Sequence, residues 1–253
     1  MPRWAMSSPE DLTPDPPGPR AAREGASFET RLNALGQPVG WPVDRRSPVP
    51  RPARTPMVGR WCRLDPLARG DLPALFDAFA EDRDGEGWTY LPHGPFDGAE
   101  DFAADMAPRI GGDDPIFFTI RAEGRPVGHA AYLRIDPGSA AVEVGFIHYA
   151  PALQRRPAAT EAMALMMARA FETGYRRYEW KCDALNAPSR RAAERLGFTY
   201  EGTFRQATHY KGRNRDTAWF SILDREWPAR RVRLAAWLDP ANFDAEGRQR
   251  ARL

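Results

Sequence analysis

One short segment, Leu153–Ala162 (LQRRPAATEA), combines two arginines with small side chains just ahead of a run with helical periodicity. The small side chains of Ala158 and Ala159 allow a ligand to approach the backbone closely. The first N–H groups of a helix lack an internal partner and lie at the positive end of its dipole, so they can bind a pyrophosphate. Arg155 and Arg156 add positive charge. The alternative is a solvated turn that precedes an ordinary helix.

The elements around this segment follow from hydrophobic periodicity. Ala141–Tyr149 is predicted to be a strand that enters the segment, and Pro157–Thr173 is predicted to be the helix that leaves it, because its apolar residues recur at i, i+3, i+4, i+7 and i+8. Large apolar and charged residues alternate over Tyr178–Ala184, as in a strand with one buried face. Asn186 then caps a short helix that ends at Gly197.

Short strands and amphipathic helices alternate through the rest of the chain from Gly59 onward, which is typical of an α/β or α+β domain. The further predicted strands are Arg60–Leu64, Phe117–Ala122, Arg125–Ile135, Tyr200–Arg205 and Asp216–Leu223. Two further helices are predicted at Leu67–Glu81 and Pro228–Leu238. The segment Asp84–Phe96, rich in glycine and aromatic residues, is predicted to be a loop.

The 253 residues divide into three predicted parts. Twelve of the 25 prolines lie in residues 1–56, so this part is expected to be an extended, partly disordered arm. The apolar residues of its middle, Phe28–Val43, suit packing on another surface. Residues 57–227 are predicted to form the folded domain, and residues 228–253 a C-terminal helix and a polar tail.

Composition and missing motifs exclude several classes of function. The net charge of +2 creates no strong field for nucleic acid or an anionic membrane, and no run approaches the ~18 consecutive apolar residues of a membrane span. Cys62 and Cys182 are the only cysteines, so neither a metal site nor a disulfide framework is expected. The nucleotide-binding patterns GxxxxGK[ST] and GxGxxG are absent. We therefore expect a cytoplasmic protein with no nucleic-acid or membrane partner.

The sequence Gln154–Ala159 (QRRPAA) resembles the pyrophosphate loop of the GNAT superfamily of N-acetyltransferases, usually written [Q/R]xxGx[G/A]. Asn186–Phe198 (NAPSRRAAERLGF) resembles the second GNAT signature, in which Asn, then Ser three residues later, precedes a helix that ends in Gly-Phe. One helix and one strand separate the signatures, as in the family. The RimJ/RimL-type branch is the most similar, because its members tend to end with an aspartate-bearing strand like Asp216–Leu223 followed by a tryptophan like Trp227.

This resemblance covers residues 57–227 and implies the GNAT acyl-CoA N-acyltransferase fold, with a central mixed, mostly antiparallel sheet flanked by helices. It implies transfer of an acetyl group from acetyl-CoA to a primary amine of a small molecule or a protein N-terminus, by direct attack in a ternary complex. Acetyl-CoA would lie between the strands Ala141–Tyr149 and Tyr178–Ala184. The residues implied to bind it are Phe146, Ile147, His148, Gln154, Arg155, Arg156, Ala158, Ala159, Thr160, Asn186 and Ser189.

Two positions depart from the family pattern. Pro157 stands where GNAT members usually have glycine, which removes one N–H donor from the phosphate cradle but pre-sets the helical dihedral angle. Ala193 stands where many relatives have a tyrosine proposed to protonate the departing thiolate. Because a thiol has a pKa near ~8.5, the CoA thiolate can leave with only water or Ser189 nearby. Ser189 is therefore predicted to assist catalysis.

The acceptor amine must be neutral to attack a thioester, and Glu143 is the predicted general base. Strict strand alternation puts Glu143 on one face with Ile147 and Tyr149, from which its carboxylate could act through a water. Backbone N–H groups around Phe146–His148 would stabilise the oxyanion. The alternative for Glu143 is an ion pair with a neighbouring arginine.

The acceptor itself is not identified by the sequence. His93 and the aromatic residues Trp88, Tyr90 and Phe96 are candidates for the acceptor pocket, and packing against the domain is their alternative role. Two other functions stay open: a non-catalytic acyl-CoA-binding regulator and a nucleic-acid module built on clustered arginines. The oligomeric state is also open, with a homodimer among the arrangements considered.

Overall fold

The computed structural model describes residues 30–43, 48–245 and 247–253. Its strands are β1 (Thr30–Leu32), β2 (Pro38–Gly40), β3 (Met57–Val58), β4 (Arg63–Pro66), β5 (Ile116–Ala122), β6 (Arg125–Asp136), β7 (Ala141–Tyr149), β8 (Arg177–Asp183), β9 (Thr199–Tyr210) and β10 (Arg213–Leu223). Its α-helices are α1 (Leu72–Phe79), α2 (Ala99–Met106), α3 (Pro157–Glu172), α4 (Ala187–Leu196) and α5 (Trp227–Leu238). No helix in these residues is long and apolar enough to cross a membrane.

Eight strands form one sheet in the order β3-β4-β5-β6-β7-β8-β10-β9. Neighbours are antiparallel except β7 and β8, which are parallel because α3 carries the chain from the end of one to the start of the other. The predicted mixed, mostly antiparallel sheet flanked by helices is confirmed.

The parallel pair β7 and β8 is joined over only part of its length. Pairing runs from Ala141 and Arg177 to Val144 and Trp180. Beyond that point β7 continues to Tyr149 and β8 continues to Asp183, but the two strands no longer pair with each other. The sheet therefore opens into a gap between the carboxyl-terminal ends of two central strands.

Helices cover the two faces of the sheet with separate apolar cores. In the larger core, Met166 of α3 and Leu234 of α5 belong to one cluster with Val142 of β7. In the smaller core, Leu75 of α1 and Phe102 of α2 pack under the other face. The gap between β7 and β8 thus lies between two rigid layers of side chains.

Most predicted elements are confirmed, and three differ. The predicted strand Arg60–Leu64 is wrong over residues 60–62, where the chain turns between β3 and β4. The predicted helix Leu67–Glu81 begins as the 3₁₀ turn Arg69–Asp71 and is α-helical only over Leu72–Phe79. Helix α2 was not predicted. Its apolar residues Phe102 and Met106 are too few to make the periodicity distinct in an eight-residue helix.

The end of the predicted arm packs on the domain. Val49 is buried in the larger core, and its N–H donates to the Pro137 carbonyl at 3.2 Å. The guanidinium of Arg169, on α3, donates to the carbonyls of Ala53, Thr55 and Pro56. Residues 48–56 therefore form a strap across the domain.

The predicted arm also contains a small hairpin. Its strands β1 and β2 pair antiparallel, and the side chains of Leu35 and Val39 are exposed. The guanidinium of Arg225 lies 5.6 Å from the ring of Trp41. The predictions for residues 1–29 and 44–47 concern residues outside the described part of the chain.

Candidate active site

A β-bulge interrupts β7 beside the gap. The pairing of β7 with β6 shifts between His129↔His148 and Ala131↔Gly145, so β7 carries one extra residue here. Phe146 has a φ of 48°, which lies in the left-handed region that a non-glycine residue seldom adopts. The bulge therefore bends β7 at the point where its pairing with β8 has ended.

The bulge also exchanges the faces of the residues that follow it. Ile147 and Tyr149 pack against the larger core, whereas Phe146 packs against the smaller one. His148 stacks on side chains of the smaller core. Glu143 precedes the bulge and lies on the opposite face from Ile147 and Tyr149. The prediction that these three residues share a face is therefore wrong, because strict alternation does not hold across a bulge.

The predicted phosphate loop ends at the N-terminus of α3. Arg155 has a φ of 60°, Arg156 is extended at φ −98° and ψ 154°, and Pro157 occupies the first helical turn. In the part of the chain that the structure describes, the amides of Arg155 and Ala158 donate no hydrogen bond. The Ala159 amide donates to the Arg156 carbonyl at 3.1 Å. Two backbone donors are thus available at the positive end of a 16-residue helix.

Side chains hold this loop against β7. The Gln154 side chain donates to the Tyr149 carbonyl at 3.2 Å, and the Tyr149 hydroxyl donates to the Ala159 carbonyl at 3.3 Å. The Thr160 hydroxyl accepts from the Arg195 guanidinium at 2.6 Å. Arg195 thus brings α4 and a positive charge to the first turn of α3. Sequence reasoning missed Arg195, because its contact joins residues 35 apart.

Glu161 fixes the same turn of α3 from the side of the larger core. Its carboxylate is fully buried and accepts the amides of Arg60, Trp61 and Cys62 at 2.8, 2.6 and 2.8 Å. Gly59 lies so close that a Cβ there would overlap the carboxylate. This nest of amides explains why residues 60–62 turn instead of forming a strand. No local sequence pattern predicts this nest, because Glu161 and its amide partners are about 100 residues apart.

The second signature forms the opposite wall of the gap. The Asn186 side-chain oxygen accepts the Ser189 amide at 3.0 Å, so Asn186 caps α4 as predicted. The indole N–H of Trp180 donates to the Ser189 hydroxyl oxygen at 3.0 Å. That hydroxyl therefore still has its own proton to donate.

The predicted base, Glu143, lies in a buried cluster of charges. Its carboxylate is 2.9 Å from the Lys181 ammonium and 3.3 Å from the Arg134 guanidinium. The Lys181 ammonium is also 2.7 Å from Glu179 and 3.7 Å from the centre of the Trp219 ring. Burial raises the pKa of Glu143 above its usual value, and Lys181 opposes that shift.

Three histidines lie in the aromatic cluster under the bulge. His93 is 2.7 Å from Asp105, His129 donates from Nδ1 to the Phe146 carbonyl at 2.8 Å, and His148 stacks on Trp88 with ring centres 3.9 Å apart. All three Nε2 atoms are buried without a hydrogen-bond partner among the described residues. Burial lowers the pKa of His129 to about 3 and that of His148 to about 2. Both imidazoles are therefore neutral in ordinary buffers.

The loop 84–96 covers the gap on this side of the sheet. Trp88 reaches His148 at the end of β7, and the Tyr90 hydroxyl donates to the Leu185 carbonyl beyond the end of β8 at 3.2 Å. At the tip of the β9–β10 hairpin, Lys211 donates to the Trp88 carbonyl at 2.7 Å. Trp88 is buried, so its packing role is confirmed, whereas Tyr90 is half-buried.

The arrangement combines a gap in the sheet, free amides at a helix N-terminus and a covered aromatic end. Among the described residues, no group of three or more His, Cys, Asp or Glu side chains is arranged to hold a metal ion. This arrangement offers backbone donors for an anionic group at one end and an aromatic surface at the other.

Comparisons with known proteins agree with this geometry. The family model described as an acetyltransferase (GNAT) domain matches residues 62–199, which is more than half of the chain. The chain belongs to the GNAT acetyltransferase family. As a GNAT member it is an acyl-CoA-dependent N-acetyltransferase. A comparison with curated protein sequences finds no match.

Solved structures of other GNAT proteins superpose on the chain. A GCN5-related N-acetyltransferase from Brucella melitensis is 44% identical, with 83% of this chain and 97% of that one covered and a TM-score of 0.81. A probable GNAT acetyltransferase from Chromobacterium violaceum is 38% identical, covering 75% and 96%, with a TM-score of 0.70. The microcin C7 self-immunity acetyltransferase MccE, solved with acetyl-CoA and AMP, is 18% identical, covering 65% and 93% at a TM-score of 0.59, and shares the fold.

Proposed function

We propose that this GNAT enzyme transfers an acetyl group from acetyl-CoA to a primary amine of a small molecule or a protein N-terminus, by direct attack in a ternary complex. The observation that carries the proposal is the gap between β7 and β8, which leads from the loop 84–96 to the free amides of Arg155 and Ala158. The free amides at one end of the gap would hold the phosphates, and the bulge at the other end would hold the thioester.

Residues of three elements would hold the cosubstrate. The pyrophosphate would accept the amides of the segment 155–160, with Gln154, Arg155 and Arg156 at its edge. Ala158 and Ala159 keep this surface free of bulk. The amide nitrogen of the Asn186 side chain is left to bind the pantetheine arm, because its oxygen already caps α4.

The groups around the bulge would act on the thioester. Backbone amides of Phe146, Ile147 and His148 would donate to the oxygen that becomes negative in the tetrahedral intermediate. Ser189 would donate its hydroxyl proton toward the departing sulfur, the role that tyrosine has in many relatives and Ala193 does not supply. Glu143 would accept the amine proton through a water.

The acceptor would enter past Tyr90 and the tip of the β9–β10 hairpin. Arg213 donates to the Thr89 carbonyl at 2.8 Å and, like Lys211, has no carboxylate within salt-bridge distance among the described residues. The RimJ/RimL-type branch is the proposed subgroup, on the basis of the strand that begins at Asp216 and the following Trp227.

The experiment that tests this function is release of free CoA from acetyl-CoA across a panel of primary amines. The panel should pair each amine that lacks a carboxylate with an analogue that carries one, because Lys211 and Arg213 present cations at the proposed entrance. Acetyl-CoA should also raise the melting temperature, since it binds only the native state.

The matched variant is Ala159→Glu, which puts bulk and negative charge at the proposed pyrophosphate site. We expect it to abolish both the melting shift and CoA release while the protein keeps its fold. An unchanged melting shift in Ala159→Glu would mean that the phosphates bind elsewhere. Wild-type enzyme that binds acetyl-CoA but acetylates no amine would leave the proposed acceptor class unsupported.

A further inference from the structure

The backbone at the bulge is held in a conformation that Phe146 does not favour. Its φ of 48° would suit glycine, yet glycine stands one position earlier, at Gly145. A residue keeps such a conformation only where its surroundings impose it. One side chain bonds the backbone of Phe146 directly.

His129 makes that contact. It lies on β6, beside the bulge, and is completely buried. A carbonyl oxygen can only accept, so Nδ1 of His129 carries the proton and donates to the Phe146 oxygen at 2.8 Å. The imidazole is packed edge-on between Phe79 and Phe117, with ring centres 5.5 and 5.6 Å away. Its orientation is therefore fixed.

The same hydrogen bond fixes a neighbouring donor. The Phe146 carbonyl and the Ile147 N–H belong to one peptide plane, and in a trans peptide they point in opposite directions. Holding the carbonyl toward His129 and the smaller core therefore turns the Ile147 N–H away from that core.

We propose that His129 is a positioning residue, which holds the Phe146–Ile147 peptide so that the Ile147 amide meets the thioester carbonyl of acetyl-CoA. The inference rests on the proposed oxyanion role of the amides at the bulge. His129 touches neither substrate. It acts through the peptide that it orients.

The groups around His129 keep its imidazole in one protonation state. His93, His148, Arg109 and Asp105 are the titratable and charged groups that act on His129. Burial, the largest influence, keeps the imidazole neutral, with a single proton that the Phe146 carbonyl holds on Nδ1. The hydrogen bond therefore persists throughout the pH range in which the acceptor amine titrates.

Three substitutions test the proposal. His129→Leu removes the donor, His129→Gln moves an amide donor to the distance of Nε2, and His129→Asn keeps a donor near the position of Nδ1. We expect kcat to fall by roughly 10²-fold in His129→Leu and His129→Gln, the effect of losing one oxyanion donor. The dissociation constant of acetyl-CoA should stay near the wild-type value. His129→Asn should recover most of the loss.

An infrared measurement gives a readout that a purely structural role would not move. With acetyl-CoA labelled at the carbonyl carbon, the bound thioester stretch should lie lower in wild type and His129→Asn than in His129→Gln, because a donated hydrogen bond weakens the C=O bond. If His129→Leu does not fold, the comparison of His129→Asn with His129→Gln still tests the proposal. Equal kcat and equal stretching frequency in Asn and Gln would overturn the proposal. Wild-type enzyme that acetylates no amine would instead count against the proposed function.

Discussion

Lys181 lies between two carboxylates, at 2.9 Å from Glu143 and 2.7 Å from Glu179, and is almost completely buried. A buried ammonium is tolerated only where opposite charges and hydrogen-bond acceptors surround it. Glu143 therefore has a structural partner whether or not it also accepts a proton. The two roles can be separated by experiment, because Glu179 shares the partner but lies on β8, outside the bulged strand.

Glu143→Gln keeps the shape of the side chain and removes the proton acceptor. If the proposed role is right, kcat should fall by roughly 10²-fold to 10⁴-fold, the usual range for general base catalysis, with little change in acetyl-CoA affinity. Raising the pH should partly restore the rate, since more of the acceptor is then neutral without help. Steady-state rates across pH measure this.

Glu179→Gln is the matched control, since it also takes one carboxylate from Lys181. It should lower the melting temperature as Glu143→Gln does but keep most of the activity. Equal losses of activity in the two variants would reject the base role. Glu143 would then be an anchor for Lys181 and Arg134, which is the ion-pair alternative with a lysine beside the expected arginine.

The elements around the site were predictable to different degrees. The strand Ala141–Tyr149 and the helix from Pro157 follow from long periodic patterns and are confirmed at those residues. The bulge inside that strand was not predictable, because the positive φ falls on Phe146 and not on Gly145, where sequence alone would put it. The hydrogen bond that the Phe146 carbonyl accepts there comes from His129, on another strand.

The strap 48–56 was expected to belong to a loose arm, yet its residues contact α3 and the larger core. Deleting it would remove the burial of Val49, a loss of about 1.5–2 kcal/mol for one buried valine. It would also remove the carbonyl partners of Arg169, each worth about 1 kcal/mol net. A chain that begins at Met57 should therefore be less stable by about 4–5 kcal/mol in urea unfolding.

A chain that begins at Pro48 is the control for this deletion. It lacks the hairpin of β1 and β2 but keeps every strap contact, so it should retain most of the stability that the chain beginning at Met57 loses. If the chains that begin at Pro48 and Met57 unfold alike, the strap contributes nothing to stability.

Across the whole molecule, the fold class was predictable because strand and helix periods alternate and two short signatures flank one helix. The geometry of the candidate site was predictable only where it is local in the sequence, as in the turn before α3 and the cap at Asn186. Arg195 and Glu161 act on residues far along the chain. From the sequence alone, a charged side chain whose partner is distant in the chain cannot be told from an ordinary surface charge.

The buried histidines predict an acid-sensitive fold. The pKa of His148 is lowered from 6.5 to about 2 in the folded protein, so below pH 6.5 the unfolded chain binds more protons and stability falls as pH falls. Between about pH 7.5 and pH 5 this residue alone should remove about 2 kcal/mol from the free energy of unfolding. His148→Phe keeps a flat ring against Trp88 but has no proton to bind. Between the two pH values its free energy of unfolding, measured in urea, should therefore fall by about 2 kcal/mol less than that of the wild type.

The control is His209→Gln, which removes a histidine from an exposed position of β9. It should show the same difference between the two pH values as the wild type. If His148→Phe loses as much stability in acid as the wild type does, His148 is not a source of the acid sensitivity.

The carboxylate of Glu161 also bears on the order in which the chain folds. Its three amide donors, at residues 60–62, come about 100 residues earlier in the chain. Contacts between such distant residues form only after a large loss of chain entropy, so they tend to form slowly. The first turn of α3 is thus completed by one of the longer loop closures in the molecule. A nascent chain would complete the first turn of α3, the proposed phosphate site, only after residue 161 has been synthesised and has met the turn at residues 60–62.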